Sequence, residues 1–289
     1  MSILSASPAS VGDAVHAAAA ELRRAGIKEA AILEARLLVA HALGVPKDTV
    51  FSHPERGFDD PAAERLRDLL HRRARREPIS HLLEKREFWS LPFRVTPATF
   101  DPRPDSETLI TTALEHVHDR KAVLRVLDLG TGSGCLLLAL LSELPEATGL
   151  GIDLSEAALA VARSNANALG LQDRARFVRG DWGEAICEKF DLILSNPPYI
   201  PDSEIGRLQP EIALYESPLA LKGGEDGLAC YRVLAPHLHR LLRLSGAACL
   251  EVGDGQAEAV MQILIQYGFK IIGVQEDLRG IPRCVIGRL

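Results

Sequence analysis

The chain has 289 residues, of which 47% are hydrophobic, which is enough for a sizeable core and for two domains. Its net charge of −6 argues against a general nucleic-acid binder, because phosphate contacts favour an excess of Lys and Arg. No apolar run approaches the ~20 residues that a membrane span needs, and the start, "MSILSASPASVGDAV", lacks the basic region and long apolar core of a signal peptide. We therefore expect a globular, cytoplasmic, monomeric protein that contacts neither membrane nor nucleic acid.

The five cysteines are scattered and odd in number, with no CxxC pair and no histidine at metal-ligand spacing. We interpret them as reduced core residues and expect no metal site. They are Cys135, Cys187, Cys230, Cys249 and Cys284.

Residues 1–80 show a helical pattern. "SVGDAVHAAAAELRRAG" begins with a possible cap at Ser10, and "KEAAILEARLLVAHALG" places Leu33 on an apolar face and ends at Gly44. "DDPAAERLRDLLHRRARRE" has Asp60 in a capping position before a proline. The region is predicted to be a small helical bundle.

The pattern changes after this bundle. "REFWSLPFRVTP" predicts a β-hairpin within a linker at residues 81–100. Over residues 101–289, strands alternate with helices, which predicts a doubly wound, mostly parallel α/β sheet with ligands bound beyond the carboxyl ends of the strands. The seven strand segments are "AVLRVLDLG", "ATGLGIDLS", "ARFVRGD", "FDLILSN", "GAACLEVG", "KIIGVQED" and "RCVIGRL".

A glycine-rich turn follows the first of these strands, in "VLDLGTGSG". Gly130, Gly132 and Gly134 allow a tight turn and close backbone approach to a ligand, and the next helix adds unpaired N–H groups. Taken alone, this spacing suits a simple turn, NAD or another nucleoside. Asp153, about 20 residues further on, is placed to bind a ribose, and "GDW" offers Asp181 and Trp182 to an adenine.

The stretch "NPPY" ends the fourth strand. Pro197 and Pro198 have no N–H and fix φ near −65°, so the chain leaves the sheet stiffly with acceptors unpaired. In an arbitrary protein this would be a stiff surface turn.

The ordered strand ends resemble the class I S-adenosylmethionine-dependent methyltransferases, and "NPPY" resembles the motif of amino-methyltransferases. More specifically, the region from Glu77 onward is similar to the HemK-type protein glutamine methyltransferases that modify peptide-chain release factors. The segments that carry this resemblance are "REPISHLLEKREFWSLPFRV", "FDPRPDSETLI", "VLDLGTGSGCLLLAL", "DLILSNPPYI", "SPLALKGGEDGLACYR", "LEVGDGQ" and "EDLRGIPRCV".

The resemblance implies a seven-stranded Rossmann-like methyltransferase sheet with an N-terminal domain that recognises a release factor. It implies methyl transfer from S-adenosylmethionine, with S-adenosylhomocysteine as product, to the N5 amide nitrogen of the glutamine in the GGQ loop of a class I release factor. The expected cofactor-binding residues are Asp128, Gly130, Thr131, Gly132, Ser133, Gly134, Asp153, Leu154, Asp181, Trp182 and Asn196. The expected substrate-binding residues are Phe100, Arg103, Asn196, Pro197, Pro198 and Tyr199.

Asn196, Pro197 and Tyr199 are the expected catalytic residues. An amide nitrogen is a poor nucleophile because its lone pair is delocalised into the carbonyl. The Asn196 side-chain oxygen and the Pro197 carbonyl can each accept one N–H of the substrate amide, which favours a pyramidal nitrogen, and Tyr199 would form an aromatic wall.

"FDPRPDSE" is expected to cover the site, with Phe100 near cofactor and substrate, and with Arg103 and Glu107 organising the motif beside the glycine loop. The family usually has an apolar residue where Asp101 stands, so Asp101 receives no role. Glu216 is left open as a structural or a substrate-side carboxylate.

Three alternatives stay open at this point. A ribosomal-protein glutamine methyltransferase would share "NPPY" but differ in its N-terminal partner surface. "NPPY" alone also permits an N6-adenine nucleic-acid methyltransferase, although the acidic balance counts against it. A non-catalytic interaction protein on the same scaffold would bind cofactor without turnover.

Overall fold

The computed structural model describes residues 8–289. The first seven residues, on which part of the signal-peptide prediction depends, lie outside the described residues. The chain forms two compact units. The first consists of the described residues up to Glu84 together with Pro210–Tyr215, and the second consists of Lys85–Gln209 and Glu216–Leu289.

The first unit begins with five helices. They are α1 (Val11–Arg24), α2 (Ala31–Leu43), α3 (Lys47–Ser52), α4 (Asp60–Ala74) and α5 (Ile79–Leu83). The Ser10 hydroxyl accepts a hydrogen bond from the Asp13 N–H, and Gly44 ends α2 with a φ of 66°, so both predicted ends are confirmed. Alanines and leucines of α1, α2 and α4 form a separate core in this unit.

Two details of the helical prediction are wrong. The cap of α4 is Asp59, whose carboxylate accepts the Ala62 N–H at 2.8 Å, whereas Asp60 lies inside the helix. Either aspartate fits the sequence pattern, and only the backbone geometry separates them. Leu33 is 62% exposed because the buried face of α2 is formed by Ala35, Leu38 and their neighbours.

The second unit begins with a short antiparallel hairpin, β1 (Arg86–Phe88) and β2 (Leu91–Phe93), as predicted. Its turn residues Trp89 and Ser90 have φ values of 53° and 57°, and the Trp89 N–H donates to the Glu107 carboxylate at 2.8 Å. The hairpin is part of the second unit, whereas the sequence analysis placed it in a separate linker.

Seven further strands form one sheet in the order β5-β4-β3-β6-β7-β9-β8. All pairs are parallel except β7–β9 and β8–β9, so the predicted mostly parallel seven-stranded sheet is confirmed. The strands are β3 (Arg125–Leu129), β4 (Thr148–Asp153), β5 (Ala175–Arg179), β6 (Phe190–Ser195), β7 (Leu242–Glu251), β8 (Lys270–Glu276) and β9 (Pro282–Arg288).

Seven more helices follow the hairpin in the chain. They are α6 (Glu107–Glu115), α7 (Cys135–Glu143), α8 (Glu156–Ala168), α9 (Pro210–Tyr215), α10 (Pro218–Leu221), α11 (Ala229–Leu241) and α12 (Ala257–Gln266). Apart from α9 and the short α10, they contribute to two apolar cores that include buried residues of the central strands. Parallel strands that are covered on both faces read as continuous apolar runs, which is why "FDLIL" was recognisable.

The cysteine prediction holds for Cys249 and Cys284, which are buried, and is wrong for Cys187, which is exposed. None of the helices in the described residues is long and apolar enough to cross a membrane.

Helix α9 belongs to the first unit through a buried ionic cluster. Arg73, only 4% exposed, donates to the Glu34 carboxylate at 2.7 Å and to the Glu211 carboxylate at 3.0 Å. Arg76 also pairs with Glu211, at 2.8 Å, and the Tyr215 hydroxyl donates to the Arg75 carbonyl. The six residues after Gln209 are thus held by Arg73 of α4 and by Arg75 and Arg76, which directly follow that helix.

Replacement of Arg73 by methionine is expected to lower the free energy of unfolding by about 3–5 kcal/mol, because the buried Glu34 carboxylate loses its partner and the half-buried Glu211 carboxylate keeps only Arg76. Arg72→Met is the matched control. Arg72 is more exposed and its closest ion pair is with Glu77, so its replacement should cost less than about 1 kcal/mol. Urea unfolding of both variants of the full chain measures the difference. Equal losses would contradict a structural role for the cluster.

Candidate active site

A cleft opens at the carboxyl ends of strands β3, β4, β5 and β6, within the second unit. It is lined by 13 of the predicted site residues: Phe100, Arg103, Gly130, Thr131, Gly132, Ser133, Asp153, Leu154, Trp182, Asn196, Pro197, Pro198 and Tyr199. The remaining three, Asp128, Gly134 and Asp181, are not among the lining residues in the described part of the chain. The individual role of each residue stays a prediction.

The glycine turn is held by the neighbouring strand. The N–H groups of Gly130 and Thr131 both donate to the Ile152 carbonyl at 2.9 Å. Gly130, Gly132 and Gly134 have φ values of 77°, 54° and 79°, a region that favours glycine. A side chain at Gly132 would meet no atom within 4 Å, so the backbone conformation and not local crowding requires glycine there.

Asp153 ends β4 beside this turn. Its two carboxylate oxygens accept the N–H groups of Gly132 and Ser155, at 2.8 and 2.9 Å. Ser155 caps α8, so Asp153 is not needed as the helix cap. The carboxylate is therefore fixed in place while each oxygen retains a lone pair for a ligand.

Asp128 lies under the turn and not in the cleft. It is fully buried and accepts the Thr131 hydroxyl at 2.6 Å. Burial raises the pKa of its carboxyl to about 7, although the Thr131 hydrogen bond opposes the shift. It therefore contacts the lining through Thr131.

Trp182 carries a positive φ of 46°, which is unusual for a bulky residue. A Cβ atom at Gly130 would lie 3.5 Å from the indole ring, so the ring covers the glycine turn. The neighbouring Asp181 is exposed.

Asn196 follows β6 directly and is half-buried. Its side-chain Nδ2 donates to the Ser106 Oγ at 3.2 Å, and no described residue donates to its Oδ1. No described residue donates to the Pro197 carbonyl either. The cleft is therefore lined by two residues with unpaired acceptors one peptide apart.

Tyr199 is enclosed by glycines. The Gln256 Nε2 donates to its carbonyl at 2.9 Å, and a side chain at Gly227 would approach that carbonyl to 2.4 Å. A side chain at Gly223 would likewise meet the Tyr199 backbone at 2.7 Å. Burial raises the pKa of the Tyr199 phenol to about 12, so the ring lines the cleft as a neutral group.

The segment before α6 forms the rim of the cleft. The Arg103 guanidinium lies 5.0 Å from the centre of the Phe100 ring and pairs with Asp101 at 3.6 Å and Glu216 at 3.3 Å. Asp101 also lies 3.7 Å from the Arg86 guanidinium. Two arginines thus explain how a buried aspartate is tolerated at this position.

Glu216 is a structural carboxylate in this arrangement. Its Oε1 accepts the Arg103 guanidinium and the Asp101 N–H, and its Oε2 has no partner among the described residues. Burial raises its pKa to about 7, with a further contribution from Asp101, while Arg103 opposes the shift. Glu107, expected beside the glycine loop, instead holds the hairpin turn through Trp89.

Sequence reasoning missed three residues around Asn196 and Tyr199. Ser106 contacts Asn196, Gln256 contacts Tyr199, and Glu251 is buried at the end of β7. Both Glu251 and Gln256 lie in the quoted segment "LEVGDGQ". A carboxylate at the end of a buried strand was the signal that would have found Glu251.

The fold and the cleft define an α/β methyltransferase. A family model described as "Methyltransferase small domain" matches residues 104–216, and one described as "PrmC N-terminal domain" matches residues 13–83. Among solved structures, the catalytic domain of hMettl16 aligns with a TM-score of 0.58 at 17% identity, covering 76% of this chain and 82% of that one. A methyltransferase from Pyrococcus furiosus aligns with a TM-score of 0.53, covering 75% of this chain and 97% of that one.

The chain belongs to the family of release factor glutamine methyltransferases. The curated protein of that name from Rhodospirillum rubrum is 44% identical over 255 residues, covering 88% of this chain and 78% of the relative. The one from Bradyrhizobium diazoefficiens is 43% identical over 282 residues, covering 96% of this chain and 95% of the relative. The resemblance found in the sequence is confirmed.

The Glu216→Gln variant is expected to change how stability depends on pH. The folded protein holds the Glu216 proton more tightly than the unfolded chain, so wild-type stability falls as the pH rises from about 4.5 to about 7. The variant lacks this loss and should gain up to about 3 kcal/mol relative to wild type between these pH values.

Urea unfolding at pH 5, 6, 7 and 8 tests this expectation, with the exposed Glu225→Gln as control. A constant difference between wild type and Glu216→Gln across this range would show that the carboxyl is ionised throughout.

Proposed function

We propose that this chain transfers a methyl group from S-adenosylmethionine to the side-chain amide nitrogen of the GGQ glutamine in a class I peptide-chain release factor. Its membership of the family and the pair of acceptors at Asn196 and Pro197 support this proposal. The reaction would take place in the cytoplasm, where translation terminates.

The residues of the cleft fit the methyl donor. The Ser133 hydroxyl lines the cleft and has no hydrogen-bond partner among the described residues, and the space beside Gly132 is open. Asp153 is fixed for ribose hydroxyls, and the Trp182 ring offers an apolar face to the adenine. When bound, the donor supplies a methyl group on a positively charged sulfur, which makes that carbon electrophilic.

The substrate amide requires two acceptors. Asn196 Oδ1 and the Pro197 carbonyl each accept one N–H, which reduces delocalisation of the nitrogen lone pair into the glutamine carbonyl. The bond from nitrogen to the methyl carbon would form as the carbon–sulfur bond breaks, so that S-adenosylhomocysteine leaves as a neutral thioether, and the alkylated nitrogen then loses one acidic proton to water. No strong base is required, and the chain contributes mainly by orientation, a contribution that reaches ~7–11 kcal/mol in well-aligned reactions.

The observation that carries the proposal is the arrangement of the Asn196 side chain. Its nitrogen is occupied by Ser106 and its oxygen has no donor among residues 8–289, so the cleft presents an acceptor and not a donor at this position. The prolines that follow keep the neighbouring carbonyl in a fixed direction before substrate binds.

We further propose that the helical domain, residues 1–80, recognises the release factor. The match of residues 13–83 to a family model supports this role, as do the exposed side chains of Leu33 and Phe51, at 62% and 70%. The chain is proposed to act as a monomer.

The first test is transfer of tritiated methyl from S-adenosylmethionine to a purified release factor. Label is expected on the wild-type factor and not on a copy whose GGQ glutamine is changed to alanine. Label on a ribosomal protein or on DNA, with none on the release factor, would support methyltransferase activity but contradict the proposed substrate.

Asn196→Ala is expected to lower the single-turnover rate by at least about 100-fold, because one of the two acceptors is lost. Affinity for S-adenosylmethionine should stay within a few-fold, since Asn196 is proposed to hold the substrate amide. The exposed Asn167→Ala serves as control and should transfer at the wild-type rate. Retention of most of the rate by Asn196→Ala would disprove the mechanism.

A further inference from the structure

The proposed mechanism depends on which way the Asn196 amide points. A primary amide carries an acceptor oxygen and a donor nitrogen of nearly the same size, so a rotation of 180° exchanges them at little steric cost. With the nitrogen facing the substrate, the site would present a donor to another donor. Some neighbouring group has to select the productive orientation.

Ser106 is the direct partner of the amide nitrogen. Its Oγ accepts from Asn196 Nδ2 at 3.2 Å, and the residue is only 3% exposed, in a 3-10 turn (Pro104–Ser106) just before α6. A hydroxyl can also donate, however, and it would then pair equally well with the amide oxygen. Ser106 selects one orientation only if its own hydrogen is directed elsewhere.

Glu251 is the group beside Ser106 that can receive this hydrogen. Strands β6 and β7 pair in parallel with Ser195 opposite Leu250, so Asn196 and Glu251 follow side by side at the edge of the sheet. Glu251 is 2% exposed, and its Oε2 has no hydrogen-bond partner among the described residues. Burial raises the pKa of Glu251, and the nearby Ser106 hydroxyl and Asn196 amide act in the opposite direction by favouring the ionised form.

An ionised Glu251 carboxylate can only accept hydrogen bonds. It therefore accepts the Ser106 hydroxyl hydrogen, which leaves a lone pair on the Ser106 oxygen for the Asn196 N–H. A protonated carboxyl can donate instead, and the direction of the chain of hydrogen bonds is then no longer fixed.

We infer that Glu251, acting through the Ser106 hydroxyl, is a positioning residue that holds the Asn196 amide with its oxygen toward the substrate nitrogen. This inference deepens the proposed function and rests on it for its catalytic consequence. Glu251 itself touches neither substrate nor methyl donor in this scheme.

The ionisation of Glu251 then links activity to pH. Burial raises the pKa of Glu251 to about 7, opposed by the Ser106 hydroxyl and by Arg283. The other titratable or charged groups that face it are Asp105 before α6, Cys135 of α7, Tyr199 after β6, Tyr231 of α11, and Arg283 and Cys284 of β9. Burial raises the pKa values of the two tyrosines and two cysteines, so these groups stay neutral while Glu251 titrates.

Single-turnover methyl transfer by Glu251→Gln, Ser106→Ala and the double variant tests the inference. Each single variant should be about 10-fold to 100-fold slower, because the acceptor is misoriented, with methyl-donor affinity unchanged within about threefold. The double variant should be no slower than the slower single, because both changes remove the same effect. Ser106→Thr, which keeps the hydroxyl, should restore the rate, and the buried Thr112→Val on α6 is the control.

The wild-type rate should also rise as the pH passes through about 7, and Glu251→Gln should lose this rise. The inference would be overturned if the fold reductions in rate of the two single variants multiplied in the double variant. It would also be overturned if either single variant kept the full rate.

A second measurement needs no methyl transfer and separates this inference from the proposed function. In protein labelled with nitrogen-15 asparagine, the Asn196 side-chain NH2 signal is identified by its loss in Asn196→Asp. It should shift with a midpoint near pH 7 in wild type and not in Glu251→Gln. A signal that does not respond to pH would overturn the inference even if release factors are methylated, and a response without methylation would overturn the proposed function alone.

Discussion

Ser195, the last residue of β6, is paired on both sides: with Leu129 of β3 and with Leu250 of β7. Its hydroxyl also donates to the Leu129 carbonyl at 2.7 Å. This register sets where the next residue of each strand leaves the sheet, so the glycine turn, Asn196 and Glu251 meet at one edge. A shift of β6 by one residue would turn the Asn196 side chain to the opposite face of the sheet.

The rigid turn after β6 is supported from the opposite side by residues with no side chain. Gly223 and Gly227 leave just enough room for the Tyr199 backbone, and Gln256 occupies its carbonyl. In the described part of the chain, the Pro197 carbonyl has no such partner. The surroundings therefore occupy one carbonyl of the turn and leave the other available to a ligand.

Most of the fold was accessible from the sequence, because buried parallel strands give apolar runs and the longer helices of the first unit have an apolar face. Apart from Phe100 and Arg103, which lie before α6, the predicted residues of the site follow strand ends, where local pattern is informative. Ser106 and Gln256 were missed because their roles arise from contacts across the sheet edge, which no local pattern encodes, whereas Glu251 stands at a strand end and was overlooked. Asp101 was recognised as unusual, but the two arginines that compensate it are brought together only by the fold.

The ionic cluster of Arg73, Glu34 and Glu211 makes the helical unit discontinuous in sequence, since its last helix is encoded more than 120 residues after the others. A fragment that ends at Glu84 would retain the buried guanidinium with only one of its two carboxylates. The chain leaves the second unit within 15 residues of Asn196, passes through the helical unit and returns at Glu216. The two units are therefore connected by three covalent crossings, so exchange of the helical unit between homologues has to carry the segment Pro210–Tyr215 with it.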